Sequence, residues 1–193
     1  MPLILLIVKI YIKILISKVY KLTMKILAVQ NRMGVGDTVI FLPFIKALYK
    51  KYNTPISLLV KESSKAGQYL DQTNYIDNIL FLKRNNKNND RHDGFFGIFN
   101  LVKDLKKHNF DKIFIFNSSF RYTIVAKLAK IENVYQYKLF NKKNQNIIET
   151  AKIFLKKKLN IEVDSNPIIS LNSQIVKNAK KKYKIVDEET NIM

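Results

Sequence analysis

The segment from Lys25 to Tyr52 limits the possible folds more than any other part of the chain. It begins with a continuously apolar run from Ile26 to Val29, passes through a turn containing Gly34 and Gly36 that closes on Asp37, and ends in a longer amphipathic stretch. A short run that is apolar throughout is typical of a central strand covered on both faces, and the longer stretch predicts a helix. The segment therefore predicts the opening of a parallel α/β domain.

The rest of the chain repeats this alternation, which predicts a Rossmann-like parallel sheet flanked by helices. A polar run from Arg84 to Asp93 predicts a mobile loop. We expect one domain over residues 24–171, followed by a basic helix and tail over residues 172–193. The predicted strands are Lys25–Gln30, Ile56–Lys61, Asn78–Leu82, Lys112–Asn117 and Val134–Tyr137, and the predicted helices are Thr38–Lys51, Ser64–Asp71, Phe96–His108, Tyr122–Lys130 and Ile147–Leu159.

Composition excludes several kinds of site. The 193 residues contain no cysteine and two histidines, which excludes a disulfide framework, a thiolate nucleophile and a Cys-ligated zinc. A reducing, cytoplasmic setting is expected. The formal net charge of +19 favours nucleic acid or an anionic membrane as a partner, but the joint richness in Lys, Asn and Ile also follows from A/T-rich codon usage. Because no nucleic-acid motif accompanies the charge, a nucleic-acid partner is not expected.

Residues 1–23 form a compositional unit of their own. They are apolar from Leu3 to Val8, carry four lysines after that, and contain no acidic residue. One interpretation is a helix that lies in a membrane interface, which would make the protein peripheral on the inner face of the cytoplasmic membrane. The other is that translation starts at Met24 and that residues 1–23 are an upstream extension.

The glycine turn is the candidate functional site. Glycines allow close approach of a ligand, and in open α/β sheets ligands bind at the carboxyl ends of strands. Gly34 and Gly36 lack the third glycine of the dinucleotide fingerprint, since position 39 is Val. Two roles remain open for Asp37, a helix N-cap and a catalytic base. Pro43, inside the predicted helix, is expected to distort its first turn.

The stretch from Met24 to Leu48, with Gly36-Asp37 followed six residues later by Pro43, resembles the opening of the ADP-heptose:lipopolysaccharide heptosyltransferases, glycosyltransferase family 9. Further similarity lies in Ile56–Lys61, Asn74–Ile79 and the region from Phe110 to Arg121. The resemblance covers roughly residues 24–171. It implies the N-terminal, acceptor-binding half of a GT-B fold.

The resemblance also implies a chemistry. A sugar would pass with inversion from a nucleotide-sugar donor, ADP-linked in that family, to a lipopolysaccharide-core or similar glycan acceptor, without a metal or other cofactor. It assigns Asp37 as the base. Gly34, Gly36, Lys61 and Arg121 fall at acceptor-binding positions, the last two for acceptor phosphates.

The family's donor domain would begin where this sequence ends. We therefore expect the chain alone to be an inactive, incomplete transferase, whether truncated, split from a separate donor-domain chain, or a relic. The alternative is a noncatalytic basic module that binds an anionic membrane surface or nucleic acid.

Overall fold

A parallel five-stranded sheet forms the centre of the molecule. The computed structural model describes residues 24–32, 34–84, 90–137, 146–169 and 173–185, so residues 1–23 and the interpretations placed on them lie outside the described part. The strand order is β3-β2-β1-β4-β5, and every neighbouring pair is parallel. The strands are β1 (Ile26–Val29), β2 (Ile56–Lys61), β3 (Ile76–Leu82), β4 (Lys112–Ile115) and β5 (Asn133–Gln136).

Helices connect the strands and cover the sheet. All four long helices of the predicted domain are present, and their ends differ from the prediction by three residues or fewer. A further helix follows at the C-terminal end of the described chain. The helices are α1 (Val35–Tyr52), α2 (Phe96–Lys106), α3 (Phe120–Leu128), α4 (Ile147–Leu159) and α5 (Ser173–Tyr183).

Alternation along the central strand divides the core between the two sheet faces. Ile26 and Ala28 point to the face covered by α1 and α4, whereas Leu27 and Val29 point to the face covered by α2 and α3. All four side chains are buried, as expected for a strand between two helical layers. The α5 helix has no buried residue.

The predicted helix Ser64–Asp71 is wrong. The structure has two single 3-10 turns there, Glu62–Ser64 and Ala66–Gln68, separated by Lys65 in a left-handed conformation with φ of 51°. The hydroxyl of Ser64 accepts the backbone N–H of Ala66 at 3.3 Å. Serine side chains that form hydrogen bonds with the nearby backbone compete with helix formation. The amphipathic pattern, on which the prediction depended, contains no information about such hydrogen bonds.

The segment from Arg84 to Asp93 lies in the connection from β3 to α2, as predicted, but its C-terminal end is packed into the protein. His92 and Asp93 are buried, and the His92 backbone N–H donates to the carbonyl of Lys83 at 2.9 Å. Residues 85–89 lie outside the described part of the chain. None of the described helices is long and apolar enough to cross a membrane.

Candidate functional site at the carboxyl edge of the sheet

The strand order places a crevice between β1 and β4. The chain runs outward from β1 through β2 to β3 and then returns to the other side of β1 with β4, and ligands of open α/β sheets bind at such a switch point. A side-chain bridge spans the crevice, since Asn117 Nδ2 donates to Asn31 Oδ1 at 2.7 Å. The glycine turn after β1 therefore lies beside the segment that follows β4.

Gly34 sets the entry to α1. It is the residue before the helix and has φ of 109° and ψ of 160°, a region that glycine alone occupies readily. Because the helix begins at Val35, Asp37 is its third residue, and the interpretation of Asp37 as the N-cap is wrong. Asp37 instead contributes a negative charge to the first helical turn, where the helix dipole favours it. Pro43 lies within α1, which continues through it to Tyr52.

The Asp37 carboxylate folds back toward the turn. Its Oδ2 atom lies 3.7 Å from where a Cβ on Gly34 would stand, and the residue is half-buried. Among the described residues, none donates a hydrogen bond to this carboxylate. The neighbouring backbone is held by Gln30, which is 1% exposed: its Nε2 donates to the Asp37 carbonyl at 3.2 Å, and its Oε1 accepts the Arg32 N–H at 3.0 Å.

Lys61 is the last residue of β2, next to β1 in the sheet, and it is 8% exposed. The 3-10 turn that follows it packs against α1. Lys61 therefore belongs to the same edge as Asp37. No described residue forms an ion pair with it, and its positive charge favours an anionic ligand.

Arg121 lies in the first turn of α3, but its guanidinium is used by the protein. Nη1 donates to the Gly94 carbonyl at 2.8 Å, and Nη2 donates to the His92 carbonyl at 2.7 Å. Burial lowers the pKa of Arg121, and the positive charge of Arg84 lowers it further. Arg121 thus fastens the end of the β3–α2 loop to α3, so a ligand has access to only part of its hydrogen-bonding capacity.

The same loop is fixed from its other side by His92. Its Nδ1 accepts the Lys83 N–H at 3.0 Å, and its Nε2 lies 3.2 Å from Asp104 Oδ2. This arrangement requires the neutral tautomer with the proton on Nε2. Burial lowers the pKa of His92, which favours the same neutral form.

Sequence reasoning missed the amide side chains of this edge. Besides Gln30, Asn31 and Asn117, the edge contains Gln136, whose Nε2 donates to the carbonyls of Asn117 and Ser119 at 2.9 and 2.8 Å. The available signal was an amide residue at the end of a strand or within two residues of it, which holds for β1, β4 and β5. Within the described ranges, no group of three or more His, Asp or Glu side chains is placed to hold a metal ion.

Solved structures with this arrangement are known. A glycosyltransferase family 9 protein from Veillonella parvula DSM 2008 is 14% identical with a TM-score of 0.61, and the match covers 87% of this chain and 52% of that one. The E. coli ADP-heptose LPS heptosyltransferase II is 13% identical with a TM-score of 0.56, at 86% and 52% coverage. The chain shares the fold of family 9 glycosyltransferases.

A third solved structure with the family 9 fold, E. coli heptosyltransferase WaaC with ADP, is 13% identical with a TM-score of 0.52, and the match covers 74% of this chain and 50% of that one. The chain thus spans about half the length of each of these proteins. The predicted Rossmann-like sheet is confirmed. No protein-family model matches the sequence, and neither does any curated protein.

Proposed function

We propose that this chain is the acceptor-binding, N-terminal half of an inverting glycosyltransferase of heptosyltransferase type, with Asp37 as its base. The observation that carries the proposal is the Asp37 carboxylate, which has no hydrogen-bond partner among the described residues, at the β1–β4 switch point of a family 9 fold. A nucleotide-sugar, ADP-linked as in the heptosyltransferases, would bind mainly to a second half. The acceptor would be a lipopolysaccharide core or similar glycan.

The proposed reaction uses Asp37 in one proton transfer. The carboxylate takes the proton of an acceptor hydroxyl while that oxygen attacks the anomeric carbon from the face opposite the nucleotide. The bond to the nucleoside diphosphate breaks, its electron pair leaves with the diphosphate, and the anomeric configuration inverts. Gln30 supports this role because it fixes the backbone of Asp37 without touching the carboxylate.

In this proposal the acceptor binds at the same carboxyl edge of the sheet. Gly34 and Gly36 leave the turn without side chains, so a sugar can approach its backbone. Lys61 offers a positive charge to an acceptor phosphate from the neighbouring strand. Arg121 would add a weaker contact, because two of its N–H groups already serve the β3–α2 loop.

A fusion tests the catalytic proposal. The full chain is joined to the part of the Veillonella parvula protein that it does not cover, and release of nucleoside diphosphate is measured with ADP-sugars and a phosphorylated glycan. The fusion is expected to transfer sugar, whereas the chain alone does not, because donor and acceptor are then not held in one cleft. Asp37→Asn in the fusion is expected to lower kcat by at least about 100-fold, the usual contribution of a general base.

The matched control is Asp71→Asn, an exposed carboxylate in the connection from β2 to β3. It is expected to leave kcat unchanged. Full transfer by the Asp37→Asn fusion would exclude Asp37 as the base. Acceptor binding is measured separately on the full chain by calorimetry, and Lys61→Gln is expected to weaken it even where no transfer occurs.

A further inference from the structure

An unusual concentration of exposed aromatic side chains lies at the beginning of α2 and α3. Phe95, Phe96, Phe99 and Phe120 are exposed to 69%, 80%, 50% and 50%, and we call them the aromatic patch. They are four of the five exposed phenylalanines among the described residues, the fifth being Phe81. Clustered exposed apolar side chains mark an interaction surface more often than scattered ones do.

Three of the four rings are joined by contacts through Phe95, and a hydrogen bond brings the backbone of the fourth near them. Phe95 contacts Phe96 and Phe99 edge-on, with centroids 6.1 and 5.4 Å apart. Phe120 comes from α3, but the next residue, Arg121, donates to the carbonyl of Gly94, the residue before Phe95. The hydrogen bond therefore ties the start of α3 to the start of the aromatic segment.

Lysines continue the patch along both helices. Positions 96, 99, 103 and 106 fall on one side of α2, and all four are exposed. Lys103 and Lys106 follow the phenylalanines there, and Lys127 follows Phe120 on the outer side of α3. The inner side of α2 is made of Leu101, Val102 and Leu105, which pack against the sheet, so this aromatic and basic face points away from the core.

Negative charge is nearly absent from this face. Asp104 is the single acidic residue within α2, and α3 has none. The Asp104 carboxylate is occupied, because it accepts two hydrogen bonds from Arg91 at 2.8 Å each, one from Lys107 at 3.2 Å, and contacts His92 Nε2. None of Lys103, Lys106 and Lys127 forms an ion pair with another described residue, so the face presents rings and positively charged ammonium groups.

We propose that the aromatic patch and its flanking lysines dock on an anionic lipid bilayer. Aromatic side chains insert at the boundary of headgroups and acyl chains, and Lys side chains bind acidic headgroups while their stems stay in the interface. A second copy of the chain fits poorly, because a two-fold contact would bury Lys103, Lys106 and Lys127 of both copies in one interface, where no free acidic side chain of α2 or α3 balances them. The proposal requires no transferase activity and is independent of residues 1–23.

Single tryptophans test insertion directly, because the chain contains none. Phe96→Trp places a reporter in the patch, and Tyr183→Trp places one on α5 at a similarly exposed position. With vesicles of phosphatidylcholine and phosphatidylglycerol, the emission of the Phe96→Trp protein is expected to shift to the blue and to be quenched by brominated lipids. The Tyr183→Trp emission is expected to stay unchanged. A patch tryptophan that stays solvent-exposed on vesicle-bound protein would overturn the proposal.

Co-sedimentation with the same vesicles measures how much the phenylalanines and the lysines each contribute to membrane binding. Phe96→Ser with Phe99→Ser is expected to lower the partition coefficient by about tenfold or more. The control, Ile153→Ser, removes an exposed apolar side chain from α4 on the opposite sheet face and is expected to change little. Lys103→Gln with Lys106→Gln is expected to weaken binding more than the equal charge change of Lys157→Gln with Lys158→Gln. Circular dichroism checks that each variant is folded.

Three further results would refute bilayer docking. One is equal binding by the phenylalanine variants and the parent chain, which would assign membrane binding to another segment. The second is equal binding to pure phosphatidylcholine vesicles, which would remove the role of the lysines. The third is a blue shift of the Phe96→Trp emission without vesicles that grows with protein concentration, which would indicate that a second copy covers the patch.

Discussion

At the scale of single residues, Gly34 determines where Asp37 points. Its backbone conformation, with φ of 109° and ψ of 160°, turns the chain from β1 into α1 and leaves Asp37 in the first helical turn. Gln30 holds the same turn through two hydrogen bonds from a buried position. The position of the Asp37 carboxylate thus depends on the backbone conformation of Gly34 and on the uncharged side chain of Gln30.

The two glycines of the turn are expected to respond oppositely to alanine. Gly34→Ala should lower the free energy of unfolding by about 1–3 kcal/mol, because alanine in this conformation is strained. Gly36→Ala should raise it by up to about 1 kcal/mol, since position 36 is helical and a Cβ there meets nothing within 4 Å. Urea unfolding measures both, and equal effects would contradict the assigned backbone geometry.

At the scale of elements, the connection from β3 to α2 joins the sheet to the outer helices. Arg121 holds it through two carbonyls, and Gly97 allows α2 to approach it closely. A Cβ on Gly97 would lie 2.2 Å from the carbonyl carbon of His92. The helix can keep its present position only with glycine at this point.

Gly97→Ala is therefore expected to destabilise the fold by about 1–3 kcal/mol or more, the usual cost of overpacking. The control is Gly67→Ala, where the added Cβ would make an ordinary contact of 3.6 Å with Phe81 Cζ. Thermal unfolding followed by circular dichroism compares the two variants. If Gly97→Ala were as stable as Gly67→Ala, α2 would have to pack differently from the arrangement described above.

Because His92 holds this connection through its neutral ring, the stability of the fold is expected to depend on pH. Burial lowers the pKa of His92 in the folded chain below its unfolded value of about 6.5, so the unfolded chain binds more protons at mildly acidic pH. The free energy of unfolding should fall as the pH drops through about 6.5. Arg91 holds the pKa of Asp104 well below its usual range, so loss of that carboxylate's contribution begins only at more acidic pH, below about 4.

The chain contains only two histidines, so each can be replaced in turn to test this pH dependence. Urea midpoints measured on both sides of pH 6.5 should show the decline in the parent chain and in His108→Asn, which keeps His92. The decline should be reduced in His92→Asn, whose side-chain oxygen can still accept the Lys83 N–H. An undiminished decline in His92→Asn would assign the titration to another group.

The sequence alone was sufficient to predict those features that depend on residues close together in the chain. The run from Ile26 to Val29 was predictable as a central strand because it is apolar on both sides, and Gly34 with Asp37 stood out because they lie together in the chain. The bond between Asn31 and Asn117 joins positions 86 apart, and it follows from β4 lying next to β1, which periodicity does not specify. The hydrogen bonds from Arg121 to the β3–α2 loop could not be predicted from the sequence for the same reason.

At the scale of the whole molecule, the two helical layers bury the central strands of the sheet, while the chain has a large excess of positive charge. The sequence pI is about 9.9, and the formal net charge is +19. The ion pairs between exposed lysines and glutamates are of a kind that adds little stability. Repulsion among unpaired cations should therefore oppose the compact state.

Salt is expected to stabilise the fold for this reason. The urea midpoint should rise between about 20 mM and about 300 mM NaCl, as the screening length shortens from well above 10 Å to below it. Lys181→Gln with Lys182→Gln, on the exposed α5 helix, should raise the low-salt midpoint and reduce the salt effect. The charge-preserving control, Lys181→Arg with Lys182→Arg, should behave like the parent chain. A midpoint that fell with added salt would mean that attractive pairs outweigh self-repulsion, and the charge excess would then be compensated within the fold.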